Sequence, residues 1–256
     1  MIFETHAHYE DEAFDKDRQE LLALLPEQGI EYVVDVSSSV DSIDKVLELT
    51  EQYSYIYGTV GIHPGDSMHM NEELLTRLKE KGKHPKVVAI GEIGLDYYWD
   101  TPDRETQKLW FVRQMELARE LKLPLVIHSR DAANDTFQLM KEAKAWEIGA
   151  IIHCFGYGVE QARQYLNNGF YLGIGGVVTF NNARKLKEVV TYAPMEQLVL
   201  ETDCPYLAPV PHRGERNNSL YLMEVAKEIA RLKNLTVSEV IRITNENAKK
   251  FYFTGR

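Results

Sequence analysis

Two histidines one residue apart, His6 and His8, close the first apolar run of the chain, and His128 and His153 close two more, PLVIH and AIIH. Asp203 ends the run LVLETD, while His63 and Glu92 stand at the ends of two others. Imidazole nitrogens and carboxylate oxygens are donors for divalent metals. Along a strand, side chains two residues apart point the same way, so His6 and His8 can reach one ion together. A single His-X-His pair is weak as a signal, and an isolated glutamate in the place of Glu92 would equally well cap a helix. The joint pattern is far stronger, because all of these groups fall where strands should stop. Among four histidines and Asp203, Glu92 reads best as a carboxylate offering one oxygen to each of two cations roughly 3.5–4 Å apart. The chemistry of such a set is metal-assisted hydrolysis.

Bringing these groups together requires a scaffold with many parallel strand ends on one face. Apolar runs rich in Val and Ile occur near residues 1–5, 32–36, 55–61, 87–91, 125–128, 150–153, 170–175 and 198–202. Between and after them lie segments of helical spacing at 14–28, 40–52, 72–80, 104–121, 133–145, 160–168, 182–192 and 219–233. Trp110, Phe111, Met115, Ala118 and Leu121 follow the 3.6-residue period. Gly29 and Gly169 punctuate helix ends, and Pro124 breaks the chain just before a strand. Strand followed by helix eight times over demands parallel pairing through helical crossovers, which predicts an α/β fold: a (β/α)8 TIM-type barrel. An extra C-terminal helix at 237–251 is expected to pack across an outer face. No linker rich in Pro, Gly or Ser divides the chain, so residues 1–256 read as one metallohydrolase barrel domain. In such barrels the chemistry sits at the C-terminal ends of the strands, where His6, His8, His63, Glu92, His128, His153 and Asp203 all fall.

Composition narrows the function classes. A chain of 256 residues with 44% hydrophobic content has ample material for a core and is neither disordered nor collagen-like. No stretch approaches the roughly 18 apolar residues of a membrane span, and the opening MIFETHAH has neither a basic nor an apolar leader region. A cytoplasmic protein without a membrane partner is expected. Cys154 and Cys204 each follow a candidate ligand and form no disulfide framework, which suits a reducing compartment. The net charge of −10 argues against broad electrostatic binding of nucleic acid, so any DNA contact must be local.

Read in order, Thr5-His6-Ala7-His8, Gly61-Ile62-His63-Pro64, Gly91-Glu92-Ile93-Gly94-Leu95-Asp96-Tyr97, the run PLVIHSR ending at Arg130, His153-Cys154-Phe155, and the run ETDCPYL from Glu201 followed by Arg213-Gly214 resemble the motifs of the TatD-type metal-dependent deoxyribonucleases. These form a branch of the amidohydrolase-like barrel superfamily, and the resemblance runs nearly end to end. It implies a divalent-metal hydrolase that cuts DNA phosphodiesters, often as a 3′ to 5′ exonuclease on single strands. Position by position it implies that His6, His8 and Asp203 hold one metal, that Glu92 bridges, and that His128 and His153 hold the second. Two divalent ions are thus expected, as Mg, Mn or Zn, with Asp203 and Glu92 as the catalytic carboxylates. The family often has Asp where this chain has Glu4 and Pro where it has Ser219, departures that leave the ligand set intact.

Around this set lie less specific candidates. His63 can bind substrate phosphate or order the ligands, or simply pack. Arg130, Arg213 and Arg216 can fork onto phosphate oxygens, or be plain surface charge. Tyr97, Tyr98 and Trp99 offer stacking faces for bases or fold under the rim. Two rival functions remain: a binuclear-metal hydrolase of a small amide, ester or lactone on the same barrel, and a noncatalytic binding barrel. Related small-molecule hydrolases often bridge their metals with a carboxylated lysine on the fourth strand, where this chain has Glu92, and a binding module leaves six convergent donors unexplained.

Overall fold

The computed structural model describes residues 1–99 and 101–254. Position 100 and the last two positions of the expected 1–256 domain therefore lie outside the described residues. Eight strands, all paired in parallel and in sequential order, form one sheet: β1 (Ile2–Ala7), β2 (Ile30–Asp35), β3 (Ile56–Val60), β4 (Val87–Asp96), β5 (Leu125–Arg130), β6 (Ala150–Ile152), β7 (Tyr171–Ile174) and β8 (Leu198–Leu200). The crossovers carry α1 (Arg18–Leu24), α2 (Ser42–Gln52), α3 (Glu72–Lys81), α4 (Arg104–Leu121), α5 (Ala133–Glu142), α6 (Val159–Asn167) and α7 (Arg184–Tyr192); α8 (Leu222–Lys233) and α9 (Val237–Phe253) follow β8. The sheet closes where Ala7 bridges Cys204, with Asp203 N donating to His6 O at 3.0 Å and His8 N to Cys204 O at 2.9 Å. The seam of the (β/α)8 barrel thus runs between three of the expected site residues. Among the described residues, no helix is long and apolar enough to cross a membrane.

Val34, Val36, Val88, Val126, Ile151 and Val199 form one buried cluster. Side chains from strands on opposite sides of a ring can meet only across its interior, so these residues fill the barrel. On β5, β6 and β8 the two-residue period carries this inward direction up to the mouth: Val126 leads to His128, Ile151 to His153, and Val199 to Glu201 and Asp203. At the opposite end α9, started by a capping box between Thr236 and Glu239, lays Tyr252 against Phe3, with ring centroids 5.8 Å apart. Its hydroxyl donates to Thr5 O at 3.1 Å.

Several expected boundaries move. The helix expected at 14–28 is an α-helix only over Arg18–Leu24, because Pro26 has no N–H to give Leu22 O, which accepts from the Tyr55 hydroxyl instead, and because Phe14 belongs to a short 3-10 turn. The segment at 219–233 opens with a 3-10 turn, Ser219–Tyr221, before α8. The extra C-terminal helix closes the N-terminal mouth of the barrel instead of lying across an outer face. Strand four does not stop at Gly91 but continues to Asp96. Gly94 permits this, since its φ of +147° is open to glycine and an added Cβ would lie 1.9 Å from His128 O. The fourth strand therefore bends tightly against β5, with Gly94 paired to His128 and Asp96 to Arg130.

Candidate metal centre

Glu92 stands in the middle of β4, its side chain buried beneath the C-terminal mouth. Five imidazoles surround its carboxylate within 4 Å, and its two oxygens divide them. Oε2 faces His6 Nε2 at 3.5 Å and His8 Nε2 at 3.8 Å. Oε1 faces His128 Nδ1 and His153 Nε2, each at 2.8 Å, and His63 Nε2 at 3.9 Å. Burial opposes the charge on Glu92, yet the surrounding imidazoles, His153 and His128 foremost, hold its pKa well below the usual carboxylate range.

On the Oε2 side, His6 Nε2 and His8 Nε2 lie 3.2 Å apart. Asp203 joins them, its Oδ1 3.7 Å from His6 and 3.4 Å from His8. The Nδ1 of His8 meets Val36 O at 2.8 Å, which fixes Nε2 as the nitrogen turned to the centre. His6, fully buried and crowded by His153 and His8, has its pKa pushed down to about 4 and is neutral. Burial lowers His8 too, but hydrogen bonding to Asp203 and Glu10 outweighs it and raises the pKa well above that of free imidazole.

On the Oε1 side, His128 Nδ1 and His153 Nε2 lie 3.1 Å apart. His128 Nε2 meets Asp96 Oδ2 at 3.0 Å, so Asp96 orients the ring and leaves Nδ1 for the centre. Burial lowers His128, but Asp96 and Glu92 outweigh it, and its pKa is pushed up to about 9. His63 closes this side, with its ring edge-on to His128 at 4.3 Å and Nδ1 accepting from Gly65 N at 3.0 Å. Burial and neighbouring imidazoles push it down to about 3, so it is a neutral ring with Nε2 turned toward Glu92.

The donor set fits divalent cations. Two nitrogens bound tetrahedrally at about 2.0–2.1 Å would stand roughly 3.3 Å apart, and the two histidine pairs meet at 3.2 and 3.1 Å. Among the described residues, three groups have ligand atoms close enough to share an ion: His6, His8 and Asp203; His63, Glu92 and His128; and His6, His153 and Glu201. The first coincides with one expected pole. In the second, His63 stands where His153 was expected, although His153 is as near to Glu92 as His128 is.

Three supporting acids escape a reading of the sequence. Asp96 lies inside the GEIGLDY motif, yet its role appears only once β4 extends past Glu92. Glu10 Oε1 lies 3.5 Å from His8 Nδ1. Glu201, within the ETD motif, is fully buried below the centre. Glu4 is also buried and accepts from His6 N at 3.1 Å, Thr202 N at 2.9 Å and Ser219 Oγ at 3.0 Å. The two departures from the family pattern, Glu4 and Ser219, are thus bonded to each other.

A cleft of about 500 Å³ opens above the centre, lined by Trp99 and Thr101 on one side and by Asp11 and Tyr206 on another. Arg130 and Arg213 stand at the rim of the mouth, each guanidinium stacked 3.8 Å over a ring, that of Tyr98 and of Phe180 respectively. Among the described residues, neither has an acidic partner within 4 Å. Arg216 is engaged elsewhere: it forks onto Asp17 at 2.7 and 2.6 Å and stacks on Phe14, so it is not free to take a phosphate. Tyr97 donates to Asp135 at 2.7 Å and packs beneath the rim, while Tyr98 and Trp99 are exposed. Both cysteines are free.

Against this geometry, a family model described as TatD related DNase matches residues 3–253. An uncharacterized metal-dependent hydrolase of Bacillus subtilis is 45% identical over 98% of this chain and 99% of its own length. A protein of Cronobacter sakazakii named 3′-5′ ssDNA/RNA exonuclease TatD is 30% identical over 98% of this chain and 97% of its own. The crystal structure of a TatD homolog from Escherichia coli superposes with a TM-score of 0.92 at 27% identity, covering 98% of this chain and 97% of that one.

Proposed function

The chain belongs to the TatD related DNase family of metal-dependent hydrolases, and on that premise we propose that it hydrolyses phosphodiester bonds of single-stranded DNA from a strand end, 3′ to 5′, with two divalent cations. The observation that carries this reading is the division of imidazoles between the two oxygens of Glu92. A carboxylate so shared suits a bridge: His6, His8 and Asp203 would hold a cation on one side, and His128 and His153 would hold another on the other. When bound, such ions neutralise a phosphate oxygen, lower the pKa of a water and stabilise the departing alkoxide.

The side chains do the rest. His8 and His128 turn one nitrogen inward because Val36 O and Asp96 hold the other. Asp203, with its side chain partly open to the cleft and its pKa held low despite burial by His8, is a carboxylate placed to accept the proton of the attacking water. His63 faces the same cleft and can hold a substrate phosphate from the Oε1 side. Arg130 and Arg213 supply local cationic contacts on a chain of net charge −10. Stacking occupies their faces and leaves the N–H edges free to fork onto backbone phosphates. The name borne by the Cronobacter relative supports nucleic acid as the substrate.

The deciding assay follows metal-dependent release of nucleotides from 3′-labelled and 5′-labelled oligonucleotides beside a panel of amides, esters and lactones. Stepwise release from the 3′ end with Mg, Mn or Zn supports the proposal. Turnover confined to the small-molecule panel overturns it.

A further inference from the structure

The cleft above the Glu92 centre has two aromatic walls that the metal chemistry leaves without a task. Trp99 lines it with 67% of its surface exposed, and Tyr206 lines it with 55% exposed. The loops that carry them follow β4 and β8, which lie four strands apart in either direction around a ring of eight, so the two side chains stand on opposite sides of the cleft. Tryptophan is on average among the more buried side chains. An indole left open at the mouth of a polar cleft offers its surface to a ligand.

Trp99 is open, yet two anchors hold it. Its backbone N–H and that of Tyr98 donate to Asp96 Oδ1, at 3.4 and 2.9 Å, while the other oxygen of Asp96 meets His128 Nε2 at 3.0 Å. Its ring meets that of Tyr98 at 89°, with centroids 5.0 Å apart, and the Arg130 guanidinium stacks 3.8 Å over Tyr98. One carboxylate thus fixes both a ring of the metal centre and the backbone of the aromatic wall, and that wall carries an arginine.

Charge decides which part of a nucleotide this wall can take. The cleft is lined by Glu10, Asp11, Asp66 and Asp203 and, among the described residues, by no lysine or arginine. Such walls repel a phosphate except where bound cations or the rim arginines meet it, whereas a nucleobase is uncharged and presents a π-face to stack. The cleft volume of about 500 Å³ is that of a small-ligand site. Of the two rings Trp99 is the larger and the more exposed. Tyr206 is tied by its hydroxyl to Asp11 Oδ2 at 3.1 Å, which sets a carboxylate beside it.

We propose that Trp99 is the stacking platform for the base of the 3′-terminal nucleotide, so that a strand end is recognised by a base of any identity together with the phosphate at the Glu92 centre. This inference rests on the phosphodiester reading of the site and adds to it a residue that selects ends bearing a base over ends that lack one.

The test uses the metal-loaded enzyme and two single-stranded oligonucleotides of one sequence, one ending in a 3′ adenine nucleotide and the other in a tetrahydrofuran abasic residue. Stacking of a base on an aromatic ring is worth roughly 5–150-fold, and the wild type should favour the base-bearing end in kcat/KM by that factor. Trp99→Ala should bring the ratio close to one, chiefly through KM, and Trp99→Phe should retain most of it. Circular dichroism verifies that folded proteins are compared. A wild-type ratio below about fivefold, or a Trp99→Ala ratio that falls by less than about fivefold, overturns the inference. So does a loss of rate shared equally by the two strands, since a residue that merely held the loop would act on both alike. A wild type that cleaves neither strand from its 3′ end overturns the phosphodiester reading and the inference with it, whereas cleavage without base preference overturns the inference alone.

Discussion

The two mouths of the barrel are built from the same eight strands and solve opposite problems. At the N-terminal mouth, Tyr252 enters against Phe3 and makes one hydrogen bond to Thr5 O, while Phe253 packs on Tyr57 at 4.7 Å. At the C-terminal mouth, buried carboxylates and imidazoles replace hydrocarbon, and several of their atoms, such as Nδ1 of His6 and His153, have no partner. Apolar closure supplies stability through burial. A polar centre that holds its groups apart from water contributes little to folding and a great deal to cation binding. The comparison implies that damage at the two ends should read out differently.

The largest contrast comes from the metal itself. Exhaustive chelation should abolish hydrolysis while the far-ultraviolet spectrum persists. Glu92→Gln should cost roughly a thousandfold, since a bridged pair of ions supplies several kcal/mol of charge stabilisation and about 1.4 kcal/mol is tenfold. Glu4→Gln, which alters bonds to His6 N, Thr202 and Ser219 and removes no proposed cation ligand, should cost far less. Equal losses from the two substitutions would mean that Glu92 is not the bridge.

The reciprocal variant lies at the closed end. Tyr252→Ala should destabilise the fold by about 3–5 kcal/mol, as other large aromatic truncations do, and lower the melting temperature by roughly 6–20 °C. At a permissive temperature its metal content and turnover should match the wild type. A folded Tyr252→Ala protein that has lost its metal would erase the distinction between the two mouths.

Protons sharpen the comparison further. The pKa of His128 is raised to about 9 by Asp96 and Glu92 against burial, so at neutral pH the metal-free protein carries a proton there that a cation must displace. Affinity should therefore rise with pH, about tenfold per unit for each displaced proton, and this component should level off above about pH 9. The same raised pKa favours folding of the metal-free protein below about pH 6.5 and is lost as pH rises through about 9. Calorimetry in buffers of different ionisation enthalpy reads the proton release directly. Affinity independent of pH between 6 and 8 would contradict the assigned protonation.

The smallest effect is expected at the rim. With only a few phosphates held, log affinity for single-stranded DNA should fall shallowly with log salt, roughly 0.7 per phosphate. Arg213→Ala should reduce that slope by somewhat under one unit and leave hydrolysis of a nitrophenyl phosphodiester nearly intact. An unchanged slope with both substrates impaired would move Arg213 into the centre, and no change on either would return it to the surface.

Much of this was readable in the chain before folding. Strand and helix alternate because local hydrophobic periodicity is a property of neighbouring residues, so eight units and a parallel barrel follow from their order. The strand-end histidines, Glu92 and Asp203 follow from the same positional logic, because a barrel converges its strand ends on one spot. Other features depend on contacts between residues far apart in sequence, which no local period encodes. The fourth strand continues past Glu92 because Gly94 lets it bend against His128, and only then does Asp96 reach the imidazole. Arg216 reads like Arg213 along the chain, but the fold sets it beside Asp17, 199 residues away, and leaves Arg213 on Phe180. Glu201 takes its place because Gly173, on the neighbouring strand, leaves a space. Residue type and period determine which groups arrive at the mouth, whereas the register between neighbouring strands and the space left by absent side chains decide how those groups are held.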